Sequence, residues 1–366
     1  MGEVNAAPPG YRAGIVGAGF MGRVHAHAVR AGGGTVAGVV ASDEHRSHLA
    51  AAEFGADRAY PGFDDLIADD SIDVIHVCTP NVLHEQQARI ALKAGKHVVC
   101  EKPLATSVDA AADVVRVAAE NERVTAIPFV YRFHPMVREA RERVRRGDAG
   151  AVTLIHGSYL QDWLCTPEDT NWRVDPGRGG PSRAFADIGS HWCDLVEFIS
   201  GERITSLSAR TATVHPERSG QLVATEDVVT LQFVTANDVI GAAVISQVSP
   251  GRKNRLFVEI TGVDATLTFD QENPELLWRG GRDQSSLLVR DPDTLSPPAA
   301  RYARVPAGHA QGYQDCFNAL VADTAAAMGG AAPDGLPTFV AGLRAARITE
   351  AALASAHQGS WVEVEA

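Results

Sequence analysis

Short apolar segments alternate with segments of helical spacing over the first 130 residues of the chain. The apolar segments have the length and composition of strands and comprise Ala13–Val16, Thr35–Ala41, Val74–Cys78, His97–Cys100 and Val124–Val130. The helical segments between them are Gly22–Ala31, Arg46–Phe54, Phe63–Ala68, Glu85–Ala94 and Ser107–Asn121. This alternation predicts an α/β domain with a doubly wound parallel sheet, covered by helices on both faces.

Beyond about residue 135 the pattern changes to longer segments that are rich in β-formers and joined by short connections. These predicted strands are Ala151–Tyr159, Ile204–Val214, Val228–Val234, Val239–Val248, Arg255–Gly262 and Ala265–Phe269, and residues 262–264 predict a tight hairpin. Helical patterns remain at Asp187–Ser200, Gly312–Met328 and Thr338–Gln358. We therefore predict a first domain over residues 1–130 and a second α/β domain over residues 131–366, with an open, mostly antiparallel sheet.

Composition narrows the class of protein. Of the 366 residues, 45% are hydrophobic and 21% are charged, as is ordinary for a globular protein. The formal net charge of −12 argues against nucleic acid as a partner, and no apolar run has the ~20 residues that a membrane span needs. The first twelve residues lack a basic start followed by an apolar core, so we expect a short flexible tail rather than a secretory signal.

The cysteines and one basic segment have ordinary explanations. The chain has five cysteines, an odd number, and no C-x-x-C spacing, which indicates neither a disulfide framework nor a zinc site. A reducing cytoplasm fits this usage best. The arginines of residues 138–146 are interrupted by acidic residues, and we interpret them as the solvated face of a helix.

Three glycines, Gly17, Gly19 and Gly22, follow the first predicted strand with the spacing G-x-G-x-x-G. In a strand–turn–helix setting, the first permits the tight turn, the second lets a pyrophosphate approach the backbone, and the third allows close packing of the helix. The helix N-terminus then offers free N–H groups to the phosphates. The alternative is a glycine-rich turn without a ligand, but the setting favours a dinucleotide site.

The end of the second predicted strand bears on the choice of dinucleotide. An acidic residue about 20 positions after the glycines usually binds the ribose hydroxyls of NAD. Here Ala41 occupies the strand end and Asp43 lies two residues further on. If Asp43 reaches the ribose, NAD is favoured; otherwise Ser42 and Arg46 could bind the additional phosphate of NADP. The residues themselves leave both possibilities open.

The segment Glu101-Lys102-Pro103 follows an apolar strand, at the sheet edge where ligands bind in open parallel sheets. A lysine there can face the nicotinamide end of a dinucleotide and act as an acid or a base. The alternative is an ordinary charged loop on the surface.

Asp187, His191 and Asp194 form a second group with chemical potential. Because Asp187 and His191 are four residues apart, an α-helix would place both on one face, and Asp194 would share approximately that face. A histidine near a carboxylate can move protons at neutral pH. The alternatives are an N-cap aspartate beside a buried histidine, or a metal site, which the absence of another ligand cluster makes less attractive.

The polar, glycine-rich segment 161–183 contains Trp163, Trp172 and Arg173. An exposed tryptophan can stack on the apolar face of a sugar ring while polar side chains bind its hydroxyls, and loops of this length are often functional. The alternative is a surface loop with packed tryptophans.

In combination, these segments resemble the Gfo/Idh/MocA family, which includes glucose-fructose oxidoreductase and inositol 2-dehydrogenase. The matching segments are GIVGAGFMG, CTPNVLH, EKPLA, YRFHP and DIGSHWCDL, over roughly residues 13–200, and the C-terminal helix with the last strand is also similar. The resemblance implies a Rossmann domain followed by an α/β domain whose open sheet often forms subunit contacts.

The resemblance also implies roles for individual residues. Lys102, Asp187 and His191 would be the catalytic group, with His191 taking the proton of the substrate hydroxyl. The cofactor-binding residues would be Gly17, Gly19, Phe20, Met21, Gly22, Ser42, Asp43, Arg46, Thr79, Pro80, Asn81, His84, Glu101 and Lys102. Tyr131 and Arg132 would lie between cofactor and substrate. Alignment places the ribose-binding acid of the family at Ala41, which slightly favours NADP(H) over NAD(H).

We therefore predict an NAD(P)-dependent oxidoreductase that transfers hydride between nicotinamide and a secondary hydroxyl, carbonyl or lactol of a sugar, polyol or related cyclic compound. Further expectations are no metal, no nucleic acid or membrane partner, a cytoplasmic location and a homo-oligomer, dimeric or tetrameric, formed through the C-terminal sheet. The alternatives are an enzyme that retains its cofactor, either exchanging hydride between sugars or assisting glycoside cleavage, and a dinucleotide-sensing regulator without turnover.

Overall fold

The computed structural model describes residues 10–365, so the expected N-terminal tail lies largely outside the described residues. The chain divides into two compact units, which are Met1–Val130 with Tyr313–Leu343 and Tyr131–Gly312 with Arg344–Ala366. The sequence-based division into 1–130 and 131–366 lacks this return of the chain, since residues 313–343 group with the first unit. No helix among the described residues is long and apolar enough to cross a membrane.

The first unit is built on a six-stranded parallel sheet, as predicted. Its strands are β1 Arg12–Val16, β2 Thr35–Val40, β3 Arg58–Ala59, β4 Val74–Val77, β5 His97–Cys100 and β6 Thr125–Ala126. Their order in the sheet is β3-β2-β1-β4-β5-β6. From β1 the strands are added in one direction to β3 and then, from β4, in the opposite direction, so the strand order reverses between β1 and β4. Strand β3 was not predicted. Strand β6 is shorter than its prediction because Pro128 has no N–H for a ladder and a 3₁₀ turn, Val130–Phe133, follows.

Five helices connect these strands, at the positions that the apolar spacing predicts. They are α1 Phe20–Ala31, α2 Glu44–Phe54, α3 Phe63–Ile67, α4 His84–Lys93 and α5 Val108–Glu120. The loops after β1, β4 and β5 leave the carboxyl ends of neighbouring strands, beside the reversal of strand order. Ligands of open α/β sheets bind at this point.

The second unit contains a nine-stranded sheet in the order β16-β15-β14-β13-β7-β12-β11-β8-β17. The strands of this unit are β7 Val152–Leu160, β8 Ile204–Ala212, β9 Glu217–Arg218, β10 Gln221–Leu222, β11 Val228–Thr235, β12 Ile240–Ser246, β13 Arg255–Gly262, β14 Thr266–Asp270, β15 Leu276–Gly280, β16 Ser285–Val289 and β17 Val362–Glu363. Neighbours in the large sheet are antiparallel except β7 and β12, and β9 pairs with β10 separately. The mostly antiparallel sheet was predicted, and the hairpin at residues 262–264 joins β13 to β14.

The second unit also contains the helices α6 Pro135–Arg145, α7 Pro176–Gly179, α8 Ser190–Ser200 and α9 Pro297–Ala300. A π-helical turn, Phe185–Gly189, leads directly into α8, where the sequence predicts one continuous α-helix. Helix α6 corrects the interpretation of the basic segment as a solvated face. Its residues Arg138 and Glu139 are buried, because the helix packs against α8 and α9.

Two long helices, α10 Tyr313–Met328 and α11 Phe339–Gln358, precede the strand β17. Helix α10 packs against α1, which explains its place in the first unit. The Gln314 amide donates to the Val24 carbonyl over 3.2 Å, and His27 Nδ1 lies 3.2 Å from Asn318 Oδ1. The first unit is therefore completed by residues nearly 300 positions after its first helix.

Candidate active site

The turn between β1 and α1 has the geometry of a phosphate-binding turn. Gly17 has φ +109°, and a Cβ there would collide with the Cys78 carbonyl, so this position requires glycine. A Cβ at Gly22 would collide with the Gly17 carbonyl, because α1 packs tightly on the turn. By contrast, a Cβ at Gly19 would meet no atom within 4 Å, which leaves its backbone open to an approaching ligand.

The N-terminus of α1 is also suited to an anion. Gly19 is the N-cap and has no side-chain capping bond, and the first turn carries no acidic residue that would neutralise the positive end of the helix dipole or repel a bound anion. The Phe20 side chain is 64% exposed, whereas the Met21 sulfur lies 3.8 Å from the Tyr313 hydroxyl. These features fit the pyrophosphate of a dinucleotide.

The residues after β2 are arranged around the start of α2. The Arg46 N–H donates to Asp43 Oδ1 over 2.8 Å, so Asp43 caps this helix, and that bond holds the pKa of the carboxyl below its usual value. Arg46 Nη1 lies 3.2 Å from Ser42 Oγ, and both side chains are exposed. Ala41 donates its N–H to Ser47 and offers no carboxylate. The exposed Ser42 hydroxyl donates to Asp43 Oδ2 over 3.1 Å, and Arg46 Nε lies 3.5 Å from the same oxygen, so a hydroxyl, a guanidinium and a carboxylate occupy this strand end.

The loop after β4 contains three of the predicted cofactor residues, Thr79, Pro80 and Asn81. Thr79 Oγ1 donates to Gln87 over 2.6 Å, and Asn81 is buried. His84 is buried at the start of α4, where Nε2 lies 2.8 Å from the Thr79 carbonyl and Nδ1 lies 2.7 Å from the Pro103 carbonyl. Burial lowers the pKa of His84, while the two carbonyl groups partly offset that effect. His84 therefore links this loop to the loop that carries Lys102.

Glu101 and Lys102 follow β5, as the sequence predicts. Glu101 is only 6% exposed; its Oε1 lies 3.1 Å from His25 Nε2 and its Oε2 accepts the Lys102 N–H over 3.1 Å. Burial alone would raise the pKa of Glu101, but the His25 bond and the Lys102 charge lower it below the usual value. Both carboxylate oxygens thus have protein partners, and Glu101 is held ionised beside Lys102.

In the second unit, Asp187 lies within the π-helical turn 185–189. Its N–H donates to the Arg183 carbonyl over 2.8 Å, and its Oδ2 accepts from Gln247 Nε2 over 2.8 Å. Arg173 Nε lies 3.4 Å from Asp187 Oδ1. Single π-helical turns often occur at functional sites. The structure thus brings the predicted residues Arg173 and Asp187 together and adds Gln247, which the sequence did not suggest.

His191 lies in the first turn of α8, and its side chain is largely buried, with 8% of the residue exposed. The Tyr131 ring meets the imidazole edge-on, with centroids 5.1 Å apart. The Tyr131 hydroxyl lies 2.6 Å from that of Tyr159 and accepts from Asn254 Nδ2 over 3.1 Å. The same hydrogen-bonded network continues from Asn254 through Gln161 to Trp163. The predicted residues Tyr131, His191 and Trp163 therefore belong to one connected region of this unit.

Arg132 and Asp194 form a buried ion pair. Arg132 Nε donates to Asp194 Oδ2 over 2.8 Å, and Nη2 contacts Oδ1. Burial raises the pKa of Asp194, and the Arg132 charge opposes that rise. The Arg132 guanidinium also stacks on Phe198 at 4.9 Å. This pair joins the start of the second unit to α8, so the structure gives Asp194 an ion-pair partner in addition to its place on the helix.

The two tryptophans of segment 161–183 have different surroundings. Trp163 is partly buried and packs on an apolar cluster, which consists of Leu164, Val174 and Val223. Trp172 begins a 3₁₀ turn, Trp172–Val174, and the Arg173 guanidinium lies 4.4 Å from its ring centre. Arg173 therefore bridges Trp172 and Asp187, which brings this loop to the candidate site.

A buried charge cluster anchors the π-helical turn. Asp227 Oδ1 contacts Arg183 and accepts from Arg218 over 2.8 Å, and all three side chains are essentially buried. Glu226 Oε1 accepts the N–H groups of Arg183 and Phe185 over 3.0 and 2.9 Å. Four charged side chains therefore stabilise the backbone segment that carries Asp187, namely those of Arg183, Arg218, Glu226 and Asp227. Among residues 10–365, no group of three His, Cys, Asp or Glu side chains is arranged to hold a metal ion.

The glycine turn on a doubly wound sheet is typical of a dinucleotide-binding protein of two units, in which Asp187 and His191 lie in the second unit. Comparison with family models agrees with this class. Residues 11–129 match the model described as an oxidoreductase family with an NAD-binding Rossmann fold, and residues 137–268 match the GFO/IDH/MocA C-terminal domain. The chain belongs to the Gfo/Idh/MocA family, which confirms the resemblance and the NAD(P)-dependent oxidoreductase activity inferred from it.

Named relatives cover nearly the whole chain. Levoglucosan dehydrogenase of Pseudarthrobacter phenanthrenivorans is 30% identical over 96% of this chain and 97% of that protein. A solved levoglucosan dehydrogenase in complex with NADH and levoglucosan superimposes with a TM-score of 0.92 at 26% identity, over 98% of this chain and 100% of the other. An inositol dehydrogenase homologue from Azotobacter vinelandii, in complex with NADH and myo-inositol, has a TM-score of 0.90 at 28% identity, over 98% of each chain.

Proposed function

We propose that this enzyme interconverts a secondary hydroxyl and a carbonyl, or a lactol and a lactone, on a cyclic sugar, anhydrosugar or polyol. The observation that carries this proposal is the arrangement in the second unit, where the Asp187 carboxylate is fixed by Gln247 and Arg173 and His191 lies against Tyr131. Neutral, hydroxyl-rich compounds suit a region lined by amide, phenol and indole groups. The levoglucosan and inositol dehydrogenases among the relatives support this substrate class.

In the oxidation direction, His191 accepts the proton of the reacting hydroxyl, and in reduction it returns that proton. A neutral imidazole is the required acceptor, and a carboxylate near it favours the charged form that results. Asp187 supplies that carboxylate, and Lys102 acts as the second acid–base group. When bound, the nicotinamide supplies or accepts the hydride.

The cofactor is proposed to lie on the glycine turn, with its pyrophosphate over Gly19 and the N-terminus of α1. Thr79, Pro80, Asn81 and the fixed pair Glu101–Lys102 would border its nicotinamide side. We further propose a preference for NADP(H). Ala41 has no carboxylate, and the Asp43 carboxylate is engaged in capping α2 through Oδ1 and in contacts with Ser42 and Arg46 through Oδ2. A 2′-phosphate would replace Asp43 as the partner of Ser42 and Arg46. Because the solved relatives named above are complexes with NADH, a preference of this enzyme for NAD(H) is the competing outcome.

The substrate is proposed to contact Tyr131, Trp163, Trp172 and Arg173. Tyr131 and Trp163 are the two ends of one hydrogen-bonded network, and Arg173 reaches Asp187 from the loop that carries Trp172. Arg132 is assigned an indirect role, because its guanidinium holds Asp194.

A homo-oligomer through the outer face of the nine-stranded sheet completes the proposal. Leu154 of β7 and Ile240 and Val244 of β12 are exposed on this face, at 36%, 59% and 42%. Apolar side chains on adjacent strands form a patch that association would cover. All five cysteines are free thiols, which is consistent with a cytoplasmic location.

The test is a panel of cyclic sugars, anhydrosugars and polyols assayed with NAD and with NADP, by following absorbance of the reduced nicotinamide. Net reduction of added cofactor by one member of the panel would support the proposal. A cofactor that copurifies and undergoes no net change while one sugar is oxidised and another reduced would indicate the cofactor-retaining alternative. Tight binding of the dinucleotide without turnover of any compound would indicate the dinucleotide-sensing regulator.

A further inference from the structure

Two buried histidines lie behind the loop that carries Lys102. His25 of α1 and His76 of β4 are 0% and 1% exposed, and their Nδ1 atoms are 2.9 Å apart. The rings are perpendicular, with centroids 5.1 Å apart. Because His25 Nε2 lies 3.1 Å from Glu101 Oε1, the three side chains form a continuous buried line that ends at the Lys102 N–H. The function described so far does not use either histidine.

The positions of the protons determine which side chain donates in each hydrogen bond of this line. An ionised carboxylate only accepts, so His25 Nε2 must carry the proton that lies between it and Glu101. In a neutral imidazole, His25 Nδ1 is then an acceptor, and the proton between the two Nδ1 atoms belongs to His76. Burial and the neighbouring His25 lower the pKa of His76 well below its usual value, so His76 is neutral. The donors therefore run from His76 to His25 to Glu101.

Titratable groups face Glu101 from several elements. Lys102 on its own loop and His84 of α4 both favour the ionised carboxyl. The Cys78 and Cys100 thiols have strongly raised pKa values, caused mainly by burial and secondarily by the Glu101 charge, so they remain neutral. From α10, the Phe317 ring covers His25 at a centroid distance of 5.1 Å and supplies no charge.

We propose that His25 and His76 are positioning residues for Lys102, which act by keeping Glu101 ionised and fixed in orientation. His25 provides the donor to one carboxylate oxygen, and His76 fixes the tautomer of His25 that makes this donation. The other oxygen then restrains the Lys102 backbone, and the carboxylate charge faces its ammonium group. The inference rests on the proposed catalytic role of Lys102.

The principal test compares His25→Leu with His25→Gln. Leucine removes the donor to Glu101, whereas the glutamine amide can replace the Nε2–H of histidine. We expect His25→Leu to lower kcat roughly 10- to 100-fold, the range for losing a hydrogen bond to a charged group, with little change in dinucleotide Kd. His25→Gln should recover most of that loss. His27→Leu, an exposed position on the same helix, is the matched control and should retain wild-type kcat.

The pH profile supplies a readout that a merely structural role would not change. Without His25, burial dominates and the pKa of Glu101 rises, so kcat of His25→Leu should fall with decreasing pH from a higher starting pH than in wild type. His76→Leu should produce the same change to a smaller extent. A His25→Leu enzyme with the wild-type kcat and pH profile would overturn the proposal.

Ring-¹⁵N spectra of histidine-labelled protein test the proton arrangement without reference to activity. Near neutral pH we expect a proton on His25 Nε2 and on His76 Nδ1, with assignments made from the His25→Gln and His76→Gln variants. A bare His25 Nε2 would contradict the inference even if the leucine variants fail to fold. If Lys102→Ala keeps normal turnover, the proposed function fails instead, and the spectra of the histidine pair are unaffected by that result.

Discussion

The loop of Lys102 and the turn of Asp187 fix their functional groups by different means. In the first unit, Glu101 is held by the His25 imidazole and by the backbone N–H of Lys102. In the second unit, Asp187 is held by an amide and faces a guanidinium, above a buried cluster of two arginines and two acids. The first arrangement depends on directed hydrogen bonds, and the second on balanced buried charge.

This difference predicts different responses to substitution. A line of directed hydrogen bonds tolerates replacement of a donor by another donor, as the glutamine variant of His25 is expected to show. A buried charge cluster does not tolerate removal of one member, because the remaining charges lose their compensation. Substitutions in the second unit should therefore combine loss of activity with loss of stability more often than those in the first.

The largest effect should follow Lys102→Ala. We expect turnover to fall roughly 100- to 10,000-fold, the range for losing one acid–base group. Dinucleotide Kd should stay close to wild type, because the glycine turn is untouched. Lys93→Ala, at an exposed position of α4, is the control for loss of a lysine. Near-normal kcat in Lys102→Ala would remove this residue from the catalytic group.

The pH profiles of His191→Ala and Asp187→Asn should separate proton transfer from substrate binding. An imidazole must be neutral to accept a proton, so wild-type oxidation should decline at low pH. His191→Ala should lose most of its activity, and the remainder should show no decline at low pH. Asp187→Asn should shift the decline to lower pH, because the Asp187 carboxylate favours the charged imidazole and its loss lowers the pKa of His191. If His191→Ala only raises KM and keeps the acidic decline, Lys102 is the base. His309→Ala, at an exposed site, serves as the control.

Gln247→Met removes the amide that donates to Asp187 while keeping a similar side-chain volume. We expect kcat to fall roughly 10- to 100-fold, as for other hydrogen bonds to a charged group. The effect should disappear in the Asp187→Asn background, which a double-mutant cycle measures. Gln284→Met, on an exposed turn, should have no effect. Additive losses in the cycle would mean that Gln247 acts elsewhere.

Ala41→Asp should shift cofactor preference towards NAD. The new carboxylate can accept from ribose hydroxyls and repels a 2′-phosphate beside Ser42 and Arg46. The ratio of the two Kd values, measured for wild type and variant, gives the result, and we expect it to change by about tenfold or more. Ala52→Asp on α2 adds the same charge at an exposed position. An equal shift in both variants would indicate a general charge effect rather than recognition.

The smallest effect concerns stability. Burial lowers the pKa of His134 to about 4, so the folded protein keeps this imidazole neutral while the unfolded chain takes up a proton below a pKa of about 6.5. Stability from this group is complete at neutral pH and is lost as the pH falls from about 6.5 towards 4, by about 2 kcal/mol near pH 5. His134→Phe should reduce the fall in unfolding free energy between neutral pH and pH 5, measured in urea. If His134→Phe and wild type lose the same unfolding free energy between neutral pH and pH 5, groups other than His134 cause that loss.

Local patterns in the sequence were sufficient for the elements and for the motifs that lie on single loops. Gly17, Gly22 and Lys102 could be placed because a strand end determines where each backbone goes. Gln247 could not be found in this way, because it contacts Asp187 from 60 positions away and follows a strand, β12, that has no polar signature. His25 and His76 could not be paired either, since their contact depends on how α1 packs on the parallel sheet.

The π-helical turn at Asp187 shows a second limit. The segment has good helical periodicity, and the prediction of one α-helix over residues 187–200 was wrong only in its first turn. There, Glu226 accepts the N–H of Phe185, and this bond comes from a strand end that lies far along the chain. Tertiary anchoring thus overrides the local preference at the position of the Asp187 carboxylate, for which we propose a catalytic role.

The return of α10 to the first unit has a consequence for biosynthesis. The side of α1 that carries His25 is covered by Phe317, which leaves the ribosome long after Lys102 does. During translation the whole of residues 131–312 is made before this covering helix exists. The nucleotide-binding unit, although its synthesis begins first, can therefore reach its final packing only when more than nine-tenths of the polypeptide has emerged, because the unit includes residues up to Leu343. A fragment ending at Val130 would expose that side of α1 to water.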